Sequence, residues 1–278
     1  MIIAQAAIAT AYREACLAEL DAPKPGNVHR YAAGHQMSVA DFIRAAEASA
    51  DAIALSGARI GTRIRGAVSA TQAAVGINAN LGIILLCAPL AAAAEARGDA
   101  LRARLAVVLD RLDVGDAADA FAAIAAAKPG GLGRAVRHDV NEPPVVTLLQ
   151  AMAEAADRDS IARQYATGFE DVFALGLPVL TAARSRYTEP RWATLAVFLA
   201  YLAAFADTHL LRKFDAATAE AVRNEAQIWR RRFEAASDPA TLLVELLAWD
   251  SALKARGLNP GTSADLTVAT LFAASLAQ

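Results

Sequence analysis

"LGIILLCAPLAAAA", residues 81–94, decides the fold class. The run is uncharged and holds one proline, Pro89. A bilayer crossing takes about 20 consecutive apolar residues, so the run is too short to span one. It reads as a helix buried in a protein core. The 278-residue chain is 56% hydrophobic, and the excess is alanine rather than aromatics. Alanine is the best helix former, so composition and core run agree on closely packed helices.

Helical segments are expected at this run and on either side of it, over 3–21, 38–56, 62–76, 82–97, 99–112 and 116–127. Others follow over 145–155, 158–175, 178–186, 190–206, 215–236, 239–256 and after 265. Ser38 with Asp41 is a capping-box pattern. Asp238 before Pro239 is a cap followed by proline at the first helical position. No alternating apolar and polar run bounded by hairpin signals occurs, and no repeat or linker divides the chain. The expectation is one all-α domain over residues 1–278, with ten to twelve helices. A chain this long can bury a core without disulfides or metal. Cys16 and Cys87 sit in apolar helical sequence without a metal-binding or redox spacing, which reads as buried thiols.

The formal charge of −2 argues against nucleic acid as a partner. The opening "MIIAQAAIATAYREACLAEL" lacks a basic leader and a cleavage site, so it reads as a helix rather than a signal peptide. A cytoplasmic protein with no membrane partner is expected. An Ala-rich surface helix could seat a second copy, making a homodimer an open reading.

The polar chemistry gathers in five breaks between helices. The first, "PKPGNVHRYAAGH" at 23–35, carries Lys24, Gly26, Asn27, His29, Arg30 and His35. Glycine lets backbone approach a ligand, while lysine and arginine suit phosphate. A turn with solvated charges explains the same residues. The second, "GINANLG" at 76–82, holds Asn78 and Asn80, which could cap a helix or face a polar ligand. The third, 128–144, puts Gly131 among three glycines beside Arg134, Arg137, His138 and Asp139. It lacks the GxxxxGK[ST] pattern, yet suits a phosphorylated ligand held with magnesium. The fourth, "DTHLLRK" at 207–213, holds Asp207, His209, Arg212 and Lys213. An aspartate among apolar neighbours needs a partner or a metal. In the fifth, "NPGTSADL" at 259–266, Thr262 or Ser263 could cap the last helix with Asp265 in its first turn.

Together and in this order the breaks resemble the triphosphoribosyl-dephospho-CoA synthase family. "PKPGNVHR" is similar to its PKPG motif, "GINANLG" to an Asn-Thr-His-Lys-Gly motif, "DTHLLRK" to a DTN…R motif, and "NPGTSADL" to a closing SPGGSADL. The resemblance runs from about residue 14 to 275. It implies an all-α pentosyltransferase that moves the triphosphoribosyl group of ATP to dephospho-CoA and releases adenine. The departures are Asn80 and Leu81 where the motif has histidine and lysine, His209 for asparagine, and Lys213 and Phe214 for a double glycine. An upstream carboxylate is also missing from "IRGAVSATQAA".

These departures resemble a subgroup from organisms with tetrahydromethanopterin-type one-carbon cofactors. They leave open a second donor, phosphoribosyl diphosphate, and a non-catalytic nucleotide- or phosphosugar-binding protein. On this resemblance Lys24, Arg30, Arg134 and Arg212 are phosphate ligands and His29 is the general base. Asn78 and Asn80 orient hydroxyls. Asp207 and Asp265 serve magnesium or the developing positive charge, and Asp139 is a further magnesium ligand. Gly26, Asn27, His35, Gly131, His138, His209, Lys213 and Ser263 complete the expected substrate contacts.

Overall fold

The structure is a computed structural model that describes residues 3–35, 37–96 and 98–277. Among these residues it is all α, with fourteen helices and two isolated β-bridges, His29 to Ala32 and Gly34 to Met37. The first seven are α1 (Gln5–Asp21), α2 (Val39–Ile53), α3 (Ile60–Val75), α4 (Leu81–Ala94), α5 (Leu101–Asp110), α6 (Val114–Ala127) and α7 (Leu148–Ala155). The rest are α8 (Ser160–Thr167), α9 (Leu177–Arg186), α10 (Pro190–Ala204), α11 (Thr208–Lys213), α12 (Ala216–Ala235), α13 (Leu243–Ala255) and α14 (Gly261–Leu276).

α4 is the apolar run at 81–94, and nearly every residue of it is buried. Full burial of each Leu or Ile contributes roughly 1.5–3 kcal/mol. α4 packs against α14, α5 and α3. Two cores result. The larger is built around α4 and takes residues from α1 to α9 and α14; the smaller joins α12 and α13. α10 is shared between them. Its Ala193, Val197 and Tyr201 recur every fourth residue and face the first core, while Trp192, Leu195, Leu199 and Leu202 face the second. Both cysteines are buried and free. No single helix among the described residues is long and apolar enough to cross a membrane.

The expected capping box forms, with Ser38 and Asp41 bonding reciprocally at the start of α2. Asp238 accepts from the Ala240 amide at 2.9 Å, and the turn it caps is a short 3-10 segment leading into α13. Three boundaries depart from expectation. The 158–175 segment breaks at Gly168, which is left-handed at φ +63°, and restarts as a π-helical turn over 171–176. The break after α10 contains a helix of its own, α11. α14 begins at Gly261, so Thr262 and Ser263 lie inside it and do not cap it. Their hydroxyls bond to the preceding break instead.

Candidate active site

All five breaks meet. They line one cavity of about 470 Å³, within the size range of small-molecule sites. Glycines permit the close approach. Gly26 is left-handed at φ +82°, and a Cβ there would lie 2.8 Å from Pro260 Cδ. The first and fifth breaks therefore touch, and Asn27 Nδ2 donates to Asn259 Oδ1 at 2.8 Å. Gly131, at φ +74°, sits on the backbone of α11, where a Cβ would lie 2.5 Å from the Arg212 carbonyl oxygen. A Cβ at Gly82 would lie 2.1 Å from Asp265 Oδ2, so the second and fifth breaks are also in contact.

Behind the cavity, Asp207 fastens the fourth break to the fifth. Its Oδ1 accepts from the amides of His209 (2.9 Å) and Leu210 (3.3 Å), and its Oδ2 accepts from the amide and hydroxyl of Ser263, both at 2.8 Å. Thr262 Oγ1 lies 3.0 Å from Thr208 Oγ1 and accepts from the His209 amide at 3.1 Å. The first turns of α4 and α14 line the cavity, and neither N-cap residue supplies a side-chain cap. Asn78 takes the Leu81 amide and Asp207 the Ser263 amide, but each helix start still carries the positive end of its dipole, which favours anions.

The cavity is electrically divided. The exposed Arg134 and Arg158, together with Arg137, stand at its solvent side. Within it, Glu19 and Asp265 join Asn27, Asn78 and Asn259, and Asp139 and Asp159 are further acids of the lining. Apolar walls come from Leu85, Phe121, Ile124 and Met152. Asp265 has no hydrogen bond among the described residues. Burial, then the charges of Glu19 and Asp207, push its carboxyl well above the ordinary range. His209 also lines the cavity, its ring above Gly261, where a Cβ would lie 2.5 Å from Nδ1. Burial, then the charges of Arg212, Lys213 and His35, push its imidazole down to about 4. It is therefore neutral near pH 7, and no hydrogen bond holds its ring among the described residues.

Of the residues singled out in the sequence, Asn27, Asn78, Gly131, Arg134, His138, Asp139, His209, Arg212 and Asp265 line the cavity. Lys24, Gly26, His29, Arg30, His35, Asn80, Asp207, Lys213 and Ser263 do not. Lys24 is fully buried and donates to Val28 O at 2.7 Å, with Glu19 Oε1 at 3.0 Å. His29 is also buried, its Nε2 3.3 Å from Asp250 Oδ1, so it is not placed to act as a base on a ligand. Arg30 pairs with Asp21 in solvent. His35 Nε2 bonds to Gly26 O at 2.8 Å. Asn80 faces inward to Thr71 Oγ1 (3.0 Å) and Ser49 Oγ (3.1 Å). Asn78 accepts from the Leu81 amide at 3.3 Å, as its capping reading requires.

The three expected magnesium ligands do not form a set. Asp207 is filled by chain donors. Asp139 accepts from the amides of Ala135 (2.7 Å) and Asn141 (2.9 Å) and from Asn141 Nδ2 (2.8 Å), which organises the glycine loop and holds its carboxyl below the usual range. Among the described residues no group of three His, Cys, Asp or Glu could hold a metal ion.

Sequence reasoning missed Glu19, Asp159, Arg158 and Asn259. Glu19 left one signal, an acid on the buried Tyr12, Ala15, Cys16 and Leu20 face of α1. Asp159 falls inside the segment expected as helix over 158–175; in the structure it is the N-cap of α8.

A family model described as CitG, ATP:dephospho-CoA triphosphoribosyl transferase, matches residues 5–278. No curated protein matches the chain. A solved structure from Archaeoglobus fulgidus, carrying the provisional assignment triphosphoribosyl-dephospho-CoA synthase, is 22% identical. The match covers 86% of this chain and 98% of that one, with a TM-score of 0.65. At that identity the likeness speaks for the fold.

Proposed function

The chain belongs to the ATP:dephospho-CoA triphosphoribosyl transferase family, and from that premise we propose that its cavity moves the triphosphoribosyl group of ATP to dephospho-CoA, releasing adenine. The observation that carries the reading is the convergence of all five motif-bearing breaks on one cavity. The family match favours neither phosphoribosyl diphosphate as donor nor a binding protein without turnover.

In the reaction the bond between the ribose anomeric carbon and adenine breaks, and its electron pair leaves with adenine. A bond from that carbon to an acceptor hydroxyl oxygen forms. The anomeric centre is oxocarbenium-like on the way, as in glycoside cleavage. Asp265 suits the acid that protonates departing adenine. It faces the cavity, lacks a protein partner, and its raised pKa favours the protonated form. Glu19, held by Lys24, places negative charge at the cavity where the positive centre develops. Neutral His209 takes over the role expected of His29, accepting the acceptor hydroxyl's proton. Solvent then returns one proton to Asp265 and removes one from His209. Arg134, Arg158 and Arg212, with the positive dipole ends of α4 and α14, suit the triphosphate. Asn27, Asn78 and Asn259 suit sugar hydroxyls.

The described carboxylates do not fit a resident metal. Magnesium therefore fits only as an ion carried on the phosphates, and none of these steps runs through it. Purified protein incubated with ATP and dephospho-CoA should release adenine in step with a new nucleotide product, read by chromatography. Absence of adenine release with both substrates present would overturn the assignment.

A further inference from the structure

We propose that Asp159 is a positioning residue. It anchors one end of the Arg212 guanidinium and leaves the Nε–Nη2 edge to grip two oxygens of the donor triphosphate. The inference rests on a triphosphate donor occupying the cavity.

Arg212 and Asp159 both line the cavity, and each side chain is about one-fifth exposed (22% and 23%). Arg212 Nη1 donates to Asp159 Oδ2 at 2.5 Å. The other oxygen, Oδ1, accepts from the amides of Ile161 (2.8 Å) and Ala162 (3.3 Å) at the start of α8. The carboxylate is thus fixed by a helix start and cannot swing with the arginine. The Arg212 backbone is fixed as well, because Gly131 lies against its carbonyl.

A guanidinium presents its donors as planar forks matched to carboxylate or phosphate. Two other arginines fill their Nε–Nη2 edge with an acid. Arg137 puts both atoms on Glu154, with Nε at 3.0 Å from Oε1, and Arg163 puts both on Asp171 at 3.1 and 2.8 Å. Arg212 does not. Its Nε is shielded from solvent and, like that of Arg104 and Arg191, has no partner among the described residues; of these three arginines only Arg212 lines the cavity. A buried donor left unpaired is costly, so an oxyanion from the ligand is the group that edge lacks.

The two accounts of Asp159 predict opposite signs. If the acid merely adds negative charge, removing it should tighten anion binding. If it positions Arg212, removing it should loosen binding. Asp159→Asn and Asp159→Ser both retain a good N-cap for α8 and remove the anchor, so either can serve if the other folds poorly. The probe is inorganic tripolyphosphate, with affinity measured by calorimetry, alongside the Michaelis constants for ATP and dephospho-CoA.

We expect tripolyphosphate affinity to fall about tenfold in both variants, the scale on which supporting partners act on a ligand-gripping side chain. Arg212→Ala should lose roughly ten- to a hundredfold, as hydrogen bonds to a charged group imply. Asp159→Asn should cost almost nothing further in the Arg212→Ala background, because residues acting through one another are non-additive. The Michaelis constant for ATP should rise while that for dephospho-CoA holds. Unchanged or tighter tripolyphosphate binding, or full additivity with Arg212→Ala, would overturn the proposal. An inactive wild-type protein would instead remove the assigned reaction, and the tripolyphosphate measurement would still decide the role of Asp159.

Discussion

Replacing His209 with Asn should make the protein less sensitive to acid. The imidazole falls from its ordinary value of 6.5 to about 4 in the folded chain, chiefly through burial and then through the charges of Arg212, Lys213 and His35. Between those values the unfolded chain holds a proton that the folded chain does not. Stability therefore rises with pH across the window and is lost as pH falls through it. The span corresponds to about 3 kcal/mol once fully developed below pH 4. Asp265 acts in the opposite sense: its folded pKa is raised, so its contribution weakens as pH rises. Both proteins keep Asp265, so the difference between them isolates His209. Asparagine is smaller than the ring and keeps the backbone amide that bonds Asp207. The assay is urea unfolding of both proteins at intervals from pH 8 to about 4. The stability difference should be flat above pH 7 and shift in favour of the variant by about 3 kcal/mol towards pH 4. Parallel curves would mean that the imidazole titrates normally, and would remove the basis for a neutral base at this position.

Asp265→Asn should lower the turnover rate by roughly two to four orders of magnitude, the range of general acid catalysis, with ATP binding retained in a calorimetric titration; a mild loss would assign the acid elsewhere. Lys24→Met should destabilise by about 3–5 kcal/mol, because it leaves Glu19 buried without its partner. Adding Glu19→Gln should restore much of that stability in thermal unfolding, and no rescue would break the pairing argument. Gly131→Ala should raise the Michaelis constant for ATP and cost about 1–2 kcal/mol, since a left-handed position acquires a side chain that strikes the Arg212 backbone. A chelator should leave the melting temperature of the ligand-free protein unchanged, because no group among the described residues could hold a metal ion; a drop of several degrees would reveal a resident ion.

The all-helical class was legible because it depends on local quantities. Alanine content and the apolar run at 81–94 commit segments to helix whatever surrounds them, and Ser38 with Asp41 or Asp238 with Pro239 mark starts through contacts within four residues. The five breaks were legible for the same reason, as glycine, proline and asparagine interrupt helices locally. What the sequence left open was the direction of each polar side chain. Lys24, His29 and Asn80 look like ligands in one dimension. In three they turn inward: Glu19 pairs with Lys24, Asp250 lies 3.3 Å from the His29 ring, and Thr71 bonds to Asn80, partners from 5 to 221 residues away. Glu19 and Asp159 look like helix residues, and packing turns them to the cavity. Local sequence carried the helical class, most of the helix interruptions and the family motifs, while the break at Gly168 and the short α11 escaped it. Which charges face a ligand is settled by packing in three dimensions, because a buried charge must find its partner in space and that partner is seldom its neighbour in the chain.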